Sequence, residues 1–202
     1  DDGCRAAQRP APIAREDAVI PPATDLLYLA PELILVLGAI LVVLIDLGLP
    51  DGRSRRPLLY FAVACCVVAG VATLALLGQS RVIFNGMVLV DPFAGFFKLM
   101  FLTATALVLL ASELYVDQLR RYEAEYYSVL LLGTVGLMLL ASSGEFLTLF
   151  LALELSSLSN AFLACWLKHS RKATEAALKY FLISVLSSAV LLYGVALLYG
   201  LT

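Results

Sequence analysis

Six apolar runs, each close to the length of a bilayer-crossing helix, constrain this 202-residue chain more than any other feature. They fall at about 26–47, 58–78, 93–115, 127–142, 146–167 and 176–199, the fourth being the shortest. A helix needs about 20 predominantly apolar residues to cross the hydrocarbon core. In lipid each backbone N–H and C=O must be satisfied within its own segment, so isolated runs of this kind become helices. Composition agrees: 61% of residues are hydrophobic and 15% charged, against about 45–50% and about 25% in soluble domains. The predicted fold class is an all-α integral membrane protein with about six transmembrane helices. The first run is too long for a signal-peptide core and lacks a small-residue cleavage site, so it is expected to be retained. Residues 1–22 carry Pro10, Pro12, Pro21 and Pro22 without apolar periodicity. They are expected to form a flexible extramembrane tail, leaving 23–202 as the transmembrane domain.

Basic residues in the connections predict the orientation. Arg53, Arg55 and Arg56, then Arg120 and Arg121, then Lys168, Arg171 and Lys172 alternate with connections holding only Arg81. The positive-inside rule puts the richer side in the cytoplasm and the N-terminus outside, although Arg5, Arg9 and Arg15 lie in the tail. Aromatic residues near the predicted ends, Tyr28, Tyr60, Tyr115, Tyr126, Tyr127, Trp166 and Tyr199, suit the membrane–water boundary. Between the second and third runs, Arg81–Val90 places Asn85-Gly86 between two β-prone stretches, which predicts a small external β-hairpin. Asp91 and Pro92 then supply an N-cap and a first-turn proline for the third helix.

Several function classes find no support. A net charge of −2 gives no footprint for nucleic acid. Neither a dinucleotide fingerprint nor a P-loop is present. The cysteines at 4, 65, 66 and 165 form no metal-ligand pattern, and Cys65 and Cys66 read as small hydrophobes. His169, among Lys168, Arg171 and Lys172, reads as a solvated loop residue.

The chemistry lies in charges inside apolar runs. Glu154 falls mid-span, where a carboxylate costs roughly 2.5–3.5 kcal/mol on insertion scales, so chains that keep one usually use it on an ion or proton. Helical steps put it on one face with Ser157 and then Asn160 or Ala161. Lipid cannot satisfy that stripe, so it should face other helices. It reads either as structural glue or as a protonatable relay. Lys179 lies about one turn inside the sixth run with Glu175 four residues earlier, and reads either as a snorkelling lysine or as a relay partner. The two differ in expected depth, about 4–9 Å for Lys179 against about 18–20 Å for Glu154 at 1.5 Å per residue. Contact between them would need a bridge of water or of Ser184, Ser187 or Ser188. Glu32, Asp46, Lys98 and Glu113 are expected at the interface.

Beyond this reading, the chain resembles the N-terminal part of subunit N of the proton-pumping NADH–quinone oxidoreductase, respiratory complex I. The matching stretches include Phe84-Asn-Gly-Met, Asp91-Pro-Phe-Ala-Gly-Phe-Phe-Lys98, Glu125-Tyr-Tyr, Met138-Leu-Leu-Ala-Ser-Ser, Leu153-Glu-Leu-Ser-Ser-Leu-Ser159 and Glu175-Ala-Ala-Leu-Lys-Tyr-Phe181. Leu186-Ser-Ser, Leu191-Leu-Tyr-Gly194 and Leu197-Leu-Tyr-Gly200 extend the likeness from about residue 22 to the last. The resemblance implies an antiporter-like helical bundle with Glu154 and Lys179 in proton translocation, to which the helical spacing above adds Glu175, Ser157, Asn160 and Ser187 as supporting residues. It implies a non-redox subunit, not catalytic alone, without cofactor or metal of its own. NADH, FMN, iron–sulfur clusters and quinone are expected in partner subunits of the complex. The implied location is a bacterial-type inner membrane. A subunit of a multi-subunit cation/proton antiporter and a structural membrane scaffold remain as alternatives.

Overall fold

The computed structural model describes residues 23–48, 56–119, 123–166 and 171–201, with backbone alone for 23–24 and 113–119. The tail at 1–22, the loop carrying His169 and the side chains of Glu113 and Tyr115 lie outside the described residues. A short helix α1 (Ala23–Tyr28) leads into α2 (Ala30–Gly48), α3 (Arg56–Leu76), α4 (Pro92–Leu119), α5 (Glu123–Ala141), α6 (Phe146–Ala164) and α7 (Arg171–Leu201). Among the described residues these last six helices are long and apolar enough to cross a membrane. The expected six spans are thus present, with ends that follow local chemistry. Helix α5 begins four residues earlier than its apolar run, with Glu123 and Glu125 in a first turn that favours carboxylates. Helix α7 begins five residues earlier, at the charged pair Arg171 and Lys172.

Helices α2, α3, α4 and α5 form a ring in which each packs on the next and α5 closes on α2. Helix α6 lies against α5, and α7 against α6. The ring core includes Leu35, Leu58, Ala62, Leu109, Leu131 and Met138. Inward positions of α4 recur at three- and four-residue steps: Ala94, Lys98, Leu102, Thr105, Leu109 and Ser112 are buried. Cys66 is buried in this core, while Cys65 packs over Gly38, where a Cβ would come within 2.7 Å of its sulfur.

Without a hydrophobic force between helices in lipid, close approach depends on small residues and polar contacts. Gly133 and Gly136 of α5 meet Ala152, Ser156 and Ser159 of α6. A Cβ on Gly136 would stand 2.7 Å from the Ser156 amide nitrogen and 3.0 Å from the Ala152 carbonyl oxygen. Thr105 of α4 and Thr134 of α5 share a buried hydrogen bond of 2.8 Å.

The expected hairpin forms from β1 (Arg81–Ile83) and β2 (Val88–Val90), antiparallel with Arg81 opposite Val90 and Ile83 opposite Val88. A short 3-10 turn, Phe84–Gly86, joins the strands. Phe84, Asn85 and Gly86 all take positive φ (52°, 55° and 100°), a conformation that asparagine tolerates and glycine adopts freely. The α5–α6 connection runs along β2: the Leu89 amide donates to the Ser142 carbonyl at 2.7 Å, and the Gly144 amide to the Met87 carbonyl at 2.8 Å. Gly144 lies so near the Gly86 carbonyl that a side chain there would collide. Tyr28 and Leu29 pack against the hairpin core, with the Arg81 guanidinium 5.7 Å from the Tyr28 ring centre. One platform therefore gathers the start of α2, the α3–α4 connection and the α5–α6 connection at the same end of the bundle. Asp91 caps α4 as expected, its carboxylate accepting from the Ala94 amide at 2.7 Å.

Candidate functional site

Glu154 sits near the middle of α6, half-buried, on the face that meets α7. The Ser188 hydroxyl of α7 donates a hydrogen bond to its carboxylate. One turn along α6, the Ser157 hydroxyl pairs with that of Ser184, one turn back on α7. The two contacts are antiparallel rungs of a single polar seam between the helices. Helix α7 reaches this seam with a narrow stripe, since Ala177 and Val195 are buried and Ser184 and Ser188 half-buried while most of its other positions are exposed. Glu154 therefore faces protein, and its hydrogen-bond donor sits on a neighbouring helix.

Two residues expected in support sit elsewhere. Asn160 is exposed, and Ala161 takes the buried position instead. Six residues at 3.6 per turn carry Asn160 about 240° around the helix from Glu154, whereas Ala161 returns to within about 20°. Ser187 is also exposed, because it lies about 100° from Ser188, which makes the contact. The small residues at 177 and 184, one heptad apart, carry the signal that marks the true inner stripe of α7.

Lys179 forms an ion pair with Glu175 at 2.5 Å along its own helix. Both are exposed in this chain, with side chains 68% and 64% accessible. Nine residues separate Lys179 from Ser188, about 13 Å along α7. Lys179 and Glu154 thus share a helix pair but occupy different depths, as the sequence spacing predicts.

A second charged pair was not anticipated. Glu32 in the first turn of α2 and Lys98 of α4 meet at 2.6 Å inside the ring, 2% and 5% exposed. Both are buried within the bundle: their helices lie diagonally across the ring, so each side chain points at the other through the core rather than outward. Their signal was chemical complementarity between two runs, which no single-helix pattern displays. Asp46, near the other end of α2, is half-buried.

The NADH:quinone oxidoreductase/Mrp antiporter, TM, family matches residues 143–202, which include the α6–α7 seam. NADH-quinone oxidoreductase subunit N 2 of Rhizobium meliloti is 41% identical over 172 residues, covering 85% of this chain and 36% of that protein. Subunit N of Desulfitobacterium hafniense is 37% identical over 180 residues, 88% of this chain and 36% of the relative. Among solved structures, respiratory complex I from Thermus thermophilus with bound Aureothin contains a chain that superposes with a TM-score of 0.70 at 29% identity. That match covers 85% of this chain and 37% of the other. The chain spans a little over a third of the length of the curated relatives it matches.

Proposed function

Because this chain belongs to the NADH-quinone oxidoreductase subunit N family over the part of its length that it spans, we propose that it serves proton translocation as a membrane subunit of that enzyme. In this reading electron transfer from NADH to quinone takes place in partner subunits, which hold FMN and the iron–sulfur clusters. The connections rich in arginine and lysine face the cytoplasm, and the hairpin and the N-terminus lie outside.

One observation carries the proposal: a mid-span carboxylate, Glu154, held between two helices by a hydroxyl that can donate to it. Among the described residues no cation pairs with it, and an unpaired carboxylate in a low-dielectric seam is a poor structural choice unless it changes protonation. Ser188 steadies the charged form by donating, and it can turn to accept once the carboxyl is protonated. Ser157 and Ser184 hold the helices in register beside it. Lys179, released from Glu175, would supply a cation whose distance from Glu154 sets its proton affinity through intervening water.

The matched family description also names Mrp antiporters, which keeps the rival reading of a multi-subunit cation/proton antiporter subunit. The naming of the relatives and the complex I structure favour the oxidoreductase. The test is Glu154→Gln in the assembled complex, measured as proton pumping per quinone reduced in sealed vesicles. Pumping should fall while the complex still assembles. Undiminished pumping with normal assembly would make Glu154 a structural hydrogen bonder.

A further inference from the structure

We propose that Glu32 and Lys98 form a second proton-exchange site at the hairpin end of the α2–α5 ring, separate from the Glu154 seam and supplied by water through an adjoining cleft. The ammonium and carboxylate stand 2.6 Å apart, both more than nine-tenths buried. A buried ion pair is stable when its remaining lone pairs and protons are satisfied by further hydrogen bonds. This one is not so satisfied. The second carboxylate oxygen of Glu32 has no hydrogen-bond partner among the described residues, and the first meets Lys98 without hydrogen-bond alignment. The ionised pair therefore lacks the support that would hold it against its neutral form.

Lys98 also lines a small cleft at the membrane end of the hairpin, together with Tyr28, Pro31, Thr73, Asp91 and Gly95. The charged and titratable groups around it are few. Asp91 lines the cleft, though its carboxylate is engaged in capping α4; Tyr28 lines it from α1, and Arg81 of the hairpin lies over the Tyr28 ring. The α3 wall contributes only the Thr73 hydroxyl, which is bonded to the Ala69 carbonyl. Water entering the cleft would meet Lys98, whose ammonium faces Glu32 on its inner side. The exchange is a simple one. An N–H bond on Lys98 breaks as an O–H bond forms on Glu32, and a hydronium in the cleft returns a proton to the vacated amine, leaving one water. The net result is uptake of one proton by the pair, and reversal releases it to the same side.

The experiment is infrared difference spectroscopy of the protein in its membrane complex, titrated with acid in H2O and in D2O. A protonated-carboxyl band that appears on acidification and shifts in D2O is expected in wild type and in Glu154→Gln, and absent from Glu32→Gln. Its survival in Glu154→Gln separates this proposal from the transport reading above. Should Glu32→Gln not accumulate, Glu32→Asp gives the answer: the band should persist but move to the frequency of an aspartic carboxyl. Wild-type spectra that superimpose on those of Glu32→Gln, or of Glu32→Asp where only that variant is available, would overturn the proposal and leave the pair a fixed strut.

Discussion

Gly136 is the position where a single methyl group should do the most damage. Its added Cβ would lie 2.7 Å from the Ser156 amide nitrogen, 3.0 Å from the Ala152 carbonyl oxygen and 3.1 Å from the Ser156 Cα. All three atoms are backbone of α6, so no side-chain rotation relieves the overlap and the two helices must separate. Overpacking of a well-packed contact costs about 1–3 kcal/mol, which is roughly five- to 150-fold in the folded-to-unfolded ratio. The separation also moves Ala152 and Ser156, the residues flanking Glu154 by two positions, and so disturbs the hydrogen bond from Ser188. Gly70 in α3 is the control, since an added Cβ there meets nothing within 4 Å. Alanine at that position is favoured over glycine by up to about 1 kcal/mol in a helix. Denaturation midpoints of Gly136→Ala, Gly70→Ala and wild type, measured side by side in the same detergent, decide the matter. A lowered midpoint is expected for Gly136→Ala alone. If Gly136→Ala matched wild type, the close α5–α6 approach would be wrong.

Three further outcomes follow from the same contacts. Ser188→Ala should reduce proton pumping by removing the donor to Glu154, while Ser187→Ala, at an exposed position, should leave it unchanged; equal effects in vesicle assays would contradict the assigned inner stripe of α7. Lys98→Met alone should cost about 3–5 kcal/mol by stranding a buried carboxylate, and Glu32→Met with Lys98→Met should recover most of it; additive losses in denaturation would mean that the two do not interact. Asp91→Ala should cost about 1 kcal/mol through loss of the α4 cap, read as a modest fall in midpoint, and no change would argue that the Ala94 amide finds another acceptor.

What the linear chain determined was whatever depends on neighbours in sequence. The six helices follow from apolar runs that must bond their own backbones in lipid. The hairpin follows from Asn85-Gly86, whose positive φ angles are a local property, and the α4 cap follows from a carboxylate three residues before the amide it accepts from. The depth difference between Glu154 and Lys179 was equally legible, because helical rise converts residue number into height. Tertiary packing decided which way each helix faces. A membrane helix is apolar around most of its circumference, so its pattern points at no particular neighbour, and Asn160 and Ser187 were as plausible beforehand as Ala161 and Ser188. The Glu32–Lys98 pair needed still more: two helices set diagonally in a four-helix ring, an arrangement supported by contacts within it such as Cys65 over Gly38 and the Thr105–Thr134 hydrogen bond. Distance across the bundle is set by packing between segments, and residue spacing along one chain carries no measure of it.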